Sequence, residues 1–308
     1  GVKRWGAEPV RVPLSDGGEG FLEVMGGPNR TTTVTGPLGD PVEACWHLTR
    51  RTAVLEMSTA AGLTLTGGAE HNDPLGADTT GVGELLAAAL DTGATHIIVG
   101  MGGSATTDGG LGALRALGPV PRLAGVRLDV ACDVRTRFAD AATLFGPQKG
   151  ASPAQVELLS RRLTRLEELY VEQYEVDVGV LPGAGAAGGL AGALAALGGN
   201  LREGFEVVAE RVDLDEAIEE ADAVLTGEGL MDAASFEGKV VGGVAELATE
   251  LGTPVGAVVG EVDPGLHDVP VGLEVASLVM DAGREAAFAD PAAVVAASAE
   301  LLLTRLLG

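Results

Sequence analysis

The chain has 308 residues, of which 44 are Asp or Glu and 20 are Lys or Arg, so its formal net charge at pH 7 is −24. Such an acidic chain is not expected to bind nucleic acid or an anionic membrane surface by electrostatic attraction. A hydrophobic content of 46% argues against disorder. We find no long apolar run that predicts a transmembrane helix, no signal-peptide core and, with two cysteines, no disulfide framework. We therefore expect a cytoplasmic monomer or homodimer with two domains.

The first two thirds of the chain combine predicted strands and helices. Alternating apolar and polar residues, interrupted by Gly-Pro and Gly-Asp-Pro turns, predict antiparallel strands over residues 31–65. Elsewhere, short apolar runs predict strands, and apolar residues at helical spacing predict helices. The predicted strands are 10–14, 95–99 and 128–131, and the predicted helices are 81–90, a segment from about 111, 153–170 and the Gly/Ala-rich 183–197.

The last third has the pattern of a parallel α/β sheet. Strands are predicted over 222–226, 254–259 and 275–280, and helices over 239–251 and 284–307. We therefore predict an α/β domain formed by residues 1–22 and 214–308, with a mixed α/β domain, residues 23–213, inserted into it. Ligands of such sheets bind at the carboxyl ends of the strands.

The segment GMGGSATTDGG, residues 100–110, is the strongest local signal of a ligand site. It follows a predicted strand and opens a predicted helix, so its backbone N–H groups and the helix dipole suit a phosphate. It lacks the GK[ST] of a Walker A motif. A tight turn without a ligand is the alternative, but the concentration of glycines, hydroxyls and an aspartate favours a phosphate. The residues assigned to nucleotide contact here are Gly102, Gly103, Ser104, Ala105, Thr106 and Asp108.

Two further glycine-rich turns carry carboxylates. Asp16 and Glu19 lie in the turn DGGEG, and Glu228 and Asp232 lie in GEGLMD after a predicted strand. Carboxylates on such turns suit Mg²⁺ or a general base, although a solvated acidic turn is common in so acidic a chain. We expect Asp16, Glu19 and Asp232 to bind the metal. Asp16 and Asp232 are also predicted to be catalytic, and Glu19 and Glu228 to contact the substrate.

Lysine is scarce, and two of the three lysines, Lys149 and Lys239, lie in glycine-rich segments. We expect Lys239 to neutralise phosphate charge as a catalytic residue and Lys149 to contact the nucleotide. A solvated helix cation is the alternative for Lys239. Ser235 and Asp133 complete the predicted substrate contacts, although Asp133 could equally be a turn residue.

In this order, eight segments between residues 13 and 239 resemble the bacterial type I glycerate kinase family. The segments are PLSDGGEGF (13–21), VTGPLGDPVEA (34–44), TTGVGELLAAAL (79–90), GMGGSATTDGG (100–110), ACDV (131–134), LFGPQKGAS (144–152), PGAGAAGGL (182–190) and LTGEGLMDAASFEGK (225–239). The resemblance implies ATP-dependent, Mg²⁺-requiring phosphorylation of D-glycerate, usually at the 2-hydroxyl group. It also implies a Rossmann- or flavodoxin-like domain with a second α/β domain inserted into it and the substrate in the cleft between them.

The sequence departs from the family pattern in two places. Family members begin with a strand, a loop resembling APDSFKGS and a helix before the DGGEG turn, whereas this chain starts roughly where that helix would end. Residues 118–126 are also shorter than the family pattern. The resemblance therefore implies further substrate contacts, from a lysine and a serine, in that first loop.

Two alternatives stay open from the sequence. One is a kinase that acts on another small hydroxy or sugar acid, or at the 3-hydroxyl group. The other is a non-catalytic ligand-binding relative, which the missing first loop favours and the motifs around Asp108, Asp232 and Lys239 oppose.

Overall fold

The computed structural model describes residues 1–18, 20–118, 120–236 and 238–308. The helices and strands of the described residues are α1 (Val2–Trp5), α2 (Phe21–Val24), β1 (Arg30–Thr35), β2 (Pro41–Thr49), β3 (Thr52–Glu56), α3 (Ser58–Ala61), α4 (Thr80–Asp91), β4 (His96–Gly100), α5 (Leu111–Leu117), β5 (Arg127–Cys132), α6 (Ala141–Phe145), α7 (Pro153–Tyr174), α8 (Leu190–Ala196), β6 (Asn200–Glu203), α9 (Gly204–Arg211), α10 (Leu214–Glu219), β7 (Val224–Met231), α11 (Val240–Leu251), β8 (Val255–Val262), β9 (Leu273–Ser277), α12 (Leu278–Ala282), α13 (Arg284–Ala289) and α14 (Pro291–Leu307). Short 3₁₀ helices span Leu63–Thr66, Val120–Leu123, Pro147–Lys149, Val178–Val180, Ala186–Gly189 and Ala233–Phe236.

The chain divides into two compact units. The central unit is Ser15–Val208, and the C-terminal unit combines Gly1–Leu14 with Ala209–Gly308. This division differs from the predicted one at residues 15–22, which belong to the central unit, and at residues 209–213, which belong to the C-terminal unit. Among the described residues, no helix is both long and apolar enough to cross a membrane.

The central unit is built on a six-stranded sheet in the order β1-β2-β3-β4-β5-β6. The antiparallel pairs β1–β2 and β2–β3 confirm the hairpins predicted from the alternating sequence. From β3 to β6 the strands are parallel, with Leu55 opposite Val99 and Val99 opposite Val130. The carboxyl ends of β3, β4, β5 and β6 therefore meet at one edge of the sheet, which is where loops that bind ligands are expected.

Helices cover this sheet because its central strands are apolar on both faces. Leu55 and Val99 share a buried cluster with Leu85 and Leu86 of α4. A second buried cluster is formed on the inner face of α7, where it includes Leu159, Leu163 and Tyr170. The Tyr170 hydroxyl donates a 2.7 Å hydrogen bond to the carbonyl of Gly109, so α7 also holds the end of the 100–110 loop.

The C-terminal unit has a parallel sheet in the order β7-β8-β9, which confirms the α/β pattern of the last third of the sequence. Gly227 of β7 is paired with Val258 of β8, and a Cβ atom on Gly227 would stand 2.3 Å from the Val258 carbonyl oxygen. The glycine thus follows from close strand packing. Helix α11 follows β7, within one residue of its predicted start at 239.

Five predicted elements were wrong in whole or in part. The antiparallel strands predicted over residues 31–65 end at Glu56, and α3 and the 3₁₀ helix Leu63–Thr66 follow. Residues 10–14 form no strand, because Pro9 and Pro13 have no N–H groups for a sheet ladder. The strand predicted over 275–280 ends at Ser277, whose side chain caps α12. Residues 284–307 form two helices, since Asp290 caps α14 with a proline at its first position. In the segment 183–197, left-handed backbone at residues 187–189 delays the helix to residue 190.

Candidate active site

The turn that begins at Asp16 lies against the carboxyl edge of the central sheet. Gly17 has a φ of +94°, and a Cβ atom there would lie 3.1 Å from the Ala131 carbonyl oxygen. A Cβ atom on Gly204 would lie only 1.7 Å from the Asp16 carbonyl oxygen. The N–H group of Gly102 donates to the Gly17 carbonyl at 3.2 Å. Glycine is required at these contacts, and they bring Asp16 together with the 100–110 loop.

The carboxylates predicted as site residues in the central unit are Asp16, Asp133 and Glu19, and the structure describes the first two. Asp16 is half-buried, and its Oδ1 accepts a 3.2 Å hydrogen bond from the Gly18 N–H. Its other carboxylate oxygen accepts no hydrogen bond from the described residues. Asp133 follows the end of β5 at the same edge and is half-buried. Glu19 lies outside the described residues.

The exposed half of the 100–110 loop can hold an anion. Gly102 and Ser104 are half-buried, and Gly103 is exposed with a φ of +71°. No acceptor among the described residues takes the N–H group of Gly103 or Ser104. Free N–H groups in a glycine turn form a concave site for a phosphate oxygen. These residues therefore fit the predicted nucleotide contact.

The other half of the loop lies in the protein interior, since Ala105 and Thr106 are both 0% exposed. The Ala105 N–H group donates to the Ala61 carbonyl at 2.9 Å, and the Gly103 carbonyl accepts from the Leu63 N–H group at 2.9 Å. Ala105 and Thr106 thus support the loop, and their predicted contact with the nucleotide stays a prediction.

Asp108 is also a supporting residue. Its carboxylate accepts hydrogen bonds from the Thr79 N–H at 3.1 Å and hydroxyl at 2.8 Å, and from the Gly110 and Gly112 N–H groups at 3.1 and 3.0 Å. Burial raises the pKa of Asp108, and these hydrogen bonds act in the opposite direction. Through these hydrogen bonds Asp108 joins the starts of α4 and α5; its assignment to nucleotide contact stays a prediction.

Lys149 is buried beneath the loop, with 3% of its surface exposed. Its Nζ donates a 2.7 Å hydrogen bond to the Thr106 carbonyl. Burial lowers the pKa of Lys149 to about 7, and the nearby carboxyl of Asp108 opposes the shift. An amine in this position contacts the loop itself; the predicted contact between Lys149 and the nucleotide stays a prediction.

Sequence reasoning missed Glu56 and Asn72, which hold the surrounding segments. Glu56 is 8% exposed; its Oε2 accepts from the Leu22 N–H at 3.0 Å and its Oε1 from the Ser58 hydroxyl at 2.9 Å. It thereby fixes α2, which follows the Asp16 turn, to the end of β3. The available signal was a carboxylate at the end of an otherwise apolar strand. Asn72 donates to the carbonyls of Ala105 and Lys149, and no sequence signal marked it.

The C-terminal unit carries the remaining predicted residues around the end of β7. Asp232 follows the strand; its N–H group donates to the Ser235 hydroxyl at 3.0 Å, and its Oδ1 accepts from the Ser235 N–H at 3.2 Å. Ser235 is 0% exposed and shapes this turn; its assignment to substrate contact stays a prediction. Lys239 is half-buried and immediately precedes α11. The Oε1 atom of Glu228, in β7, is buried and has no hydrogen-bond partner among the described residues.

Comparisons with known proteins agree on one family. The sequence matches the model of the glycerate kinase family over residues 1–120 and 119–306. It is 41% identical over 294 residues to glycerate 2-kinase of Escherichia coli K12, which covers 83% of this chain and 77% of that protein. It is 38% identical over 296 residues to glycerate kinase of Halalkalibacterium halodurans, with 84% and 78% covered. The crystal structure of "putative glycerate kinase 2 from Salmonella typhimurium LT2" superposes with a TM-score of 0.77 at 35% identity, over 97% of this chain and 89% of that one.

Proposed function

The chain belongs to the glycerate kinase family and is a kinase, and we propose that it transfers the γ-phosphoryl group of ATP to the 2-hydroxyl group of D-glycerate. One observation carries this proposal. The Gly17 carbonyl accepts from the Gly102 N–H group, so Asp16, the residue before Gly17, lies near a loop in which no described residue occupies the N–H groups of Gly103 and Ser104. A proton acceptor beside a phosphate cradle is what transfer to an alcohol requires.

In the proposed reaction, the 2-hydroxyl oxygen attacks the γ-phosphorus, its proton passes to the carboxylate of Asp16, and ADP leaves. The N–H groups of Gly103 and Ser104 hold phosphate oxygens and stabilise their negative charge, because they are fixed before the ligand arrives. Asp133 lies at the same sheet edge and can accept hydrogen bonds from the glycerate hydroxyls. In the C-terminal unit, Lys239 is assigned to neutralise phosphate charge, and Asp232 to hold Mg²⁺ or accept the proton.

The donor set fits Mg²⁺ bound jointly by protein and nucleotide. Among the described residues, no three His, Cys, Asp or Glu side chains are grouped so as to hold a metal by themselves. Mg²⁺ is commonly bound through one or two carboxylates, water and substrate phosphates. Asp16 or Asp232 would hold it, and Mg²⁺ would supply neutralisation of phosphate charge. We retain cytoplasmic location and a monomeric or homodimeric state as parts of the proposal.

An ADP-release assay tests this function. The protein is incubated with Mg²⁺-ATP and, separately, with D-glycerate, L-glycerate and a panel of other hydroxy and sugar acids. We expect the highest kcat/KM with D-glycerate and a product identified by ³¹P NMR as 2-phosphoglycerate. A preference for another acid, or a 3-phosphorylated product, selects the alternative kinases. Ligand binding without turnover selects a non-catalytic relative.

Replacing Asp16 tests the proposed proton acceptor. Asp16→Asn keeps the shape of the side chain but removes a base, so kcat should fall about 10²- to 10⁴-fold while the protein stays folded. Asp40→Asn is the matched control, because Asp40 is an exposed turn residue of the same unit. Near-normal turnover of Asp16→Asn, measured by the same ADP-release assay, would remove Asp16 from this role.

A further inference from the structure

Two side chains hold the buried half of the 100–110 loop by its carbonyl groups. Lys149 Nζ donates to the Thr106 carbonyl at 2.7 Å, and Asn72 Nδ2 donates to the Ala105 carbonyl at 3.0 Å. Asn72 Nδ2 also donates to the Lys149 carbonyl at 2.9 Å, so the two residues hold each other. We call this pair, Asn72 and Lys149, the loop clasp. Asn72 and Lys149 are both distant from the loop in sequence, and together they fix two consecutive peptide groups of the loop.

Fixing a carbonyl also fixes the direction of an N–H group. In a trans peptide the C=O and the following N–H point in opposite directions, and the described residues contain no cis peptide. The clasp therefore sets the orientation of the peptides that begin at Ala105 and Thr106. At the other end, the Gly102 N–H is held by the Gly17 carbonyl at 3.2 Å. The unoccupied N–H groups of Gly103 and Ser104 lie between these two anchors, and the Leu63 N–H group also holds the Gly103 carbonyl there at 2.9 Å.

The burial of Lys149 argues that it does more than fill space. Placing an amine in the interior costs free energy even when it is hydrogen-bonded, and this cost is reflected in a pKa lowered to about 7. An apolar side chain of similar length would pack at that position without the cost. What only a donor supplies is the hydrogen bond to the Thr106 carbonyl.

We propose that Asn72 and Lys149 are positioning residues of the phosphate site, which orient the N–H groups of Gly103 and Ser104 without touching the ligand. The inference rests on the proposed function in one respect, which is that the ligand is ATP. The loop clasp acts on ATP binding, because the residues it orients are assigned to phosphate and not to glycerate. Its loss should therefore affect the two substrates unequally.

The test compares the variants Lys149→Met, Lys149→Gln and Asn72→Ala with the wild type. We expect Lys149→Met and Asn72→Ala each to raise the KM for ATP at least about tenfold, equivalent to about 1.4 kcal/mol, with a change of less than about threefold in the KM for glycerate. Lys149→Gln keeps an N–H donor and should recover part of the ATP affinity. Leu159→Ala is the control for general destabilisation, since Leu159 is a buried core residue of α7 in the same unit.

Hydrogen–deuterium exchange gives a readout that needs no ligand. In Lys149→Met and Asn72→Ala, exchange should rise in the peptide that covers residues 100–110, whereas in Leu159→Ala it should rise throughout the central unit. Unchanged loop exchange together with an unchanged KM for ATP overturns the inference, as does an equal rise in both KM values. If the wild type phosphorylates no acid, the proposed function fails, and the exchange data together with ATP binding measured by calorimetry still decide the role of the clasp.

Discussion

Single residues around the 100–110 loop are supports whose charges lie in the protein interior. Lys149 lies beneath the loop and Asp108 lies within it, and burial shifts the pKa of each toward its neutral form. Lys149 donates to a carbonyl, and Asp108 accepts from N–H and hydroxyl groups. Because both are enclosed, their protonation affects the stability of the fold itself.

Lys149 should make the protein more stable as pH rises above neutrality. Its pKa is about 7 in the folded state and 10.5 ordinarily. Below pH 7 both states carry the proton, and the burial cost is fully present. Between pH 7 and 10.5 the unfolded state holds a proton that the folded state does not, so the free energy of unfolding rises with pH. The total rise is on the order of 5 kcal/mol.

Comparison with Lys149→Met isolates this contribution. Between pH 7.5 and 9, the free energy of unfolding of the wild type, measured in urea, should increase by about 2 kcal/mol relative to the variant. Groups that titrate in both proteins cancel in the difference, apart from Asp108, which interacts with Lys149. A difference that stays constant over this range would contradict the lowered pKa.

At the level of elements, residues 187–189, which precede α8, pack against the 100–110 loop. Ala187, Gly188 and Gly189 all have left-handed backbone, with φ of +52°, +66° and +96°. The Gly188 carbonyl accepts from the Gly109 N–H at 3.0 Å. A Cβ atom on Gly188 would lie 2.0 Å from the Thr106 carbonyl oxygen. The carbonyl that Lys149 holds is therefore also confined by the backbone of this segment.

The variant Gly188→Ala should displace Thr106 and disturb the loop. We expect a loss of about 3 kcal/mol in the free energy of unfolding, from left-handed strain and overpacking together, with weaker ATP binding. Gly198→Ala is the matched control, since Gly198 has a φ of +89° and no atom within 4 Å of its added Cβ. It should lose about 1 kcal/mol from strain alone. Urea denaturation of both variants measures the difference, and equal losses would show that the contact with Thr106 is unimportant.

For the whole molecule, the net charge of −24 dominates the electrostatics. Its surface ion pairs, such as Arg161 with Glu157 at 2.9 Å, are exposed and contribute little to stability. Self-repulsion among excess carboxylates opposes the compact state. An acidic protein that binds two anions must also gather positive potential locally, from loop N–H groups, Lys239 and Mg²⁺ in our proposal.

Salt should stabilise this chain because it screens the repulsion more than it weakens the exposed pairs. We expect the Tm of the first unfolding transition, measured by calorimetry, to rise between 20 mM and 500 mM NaCl. The rise should be about 2–4 °C for each kcal/mol by which the free energy of unfolding increases. KCl should give the same curve if screening is the cause. A Tm that is flat or falls with either salt would show that the attractive pairs outweigh the net charge.

Much of the fold could be predicted because its signals are local. Apolar runs and helical spacing identified the parallel strands and α4, α7 and α11, since burial patterns follow the period of each element. Glycine marked the close approaches at Gly17 and Gly227, because only a residue without Cβ fits there. The eight ordered segments also identified the family from the sequence itself.

The tertiary structure decided which motif residues are exposed. Thr106 is held by Lys149, 43 residues away, and Asp108 by Thr79, 29 residues away, so neither burial could be read from the loop's own sequence. The burial of Ser235 in the turn at Asp232 was likewise not evident from its own segment. The sequence by itself determined the family, and it predicted a glycine loop, carboxylates and a lysine for phosphate chemistry, because residue types carry the chemistry. Only contacts between distant segments determined which of them can face a ligand, because burial depends on what packs above and below each residue.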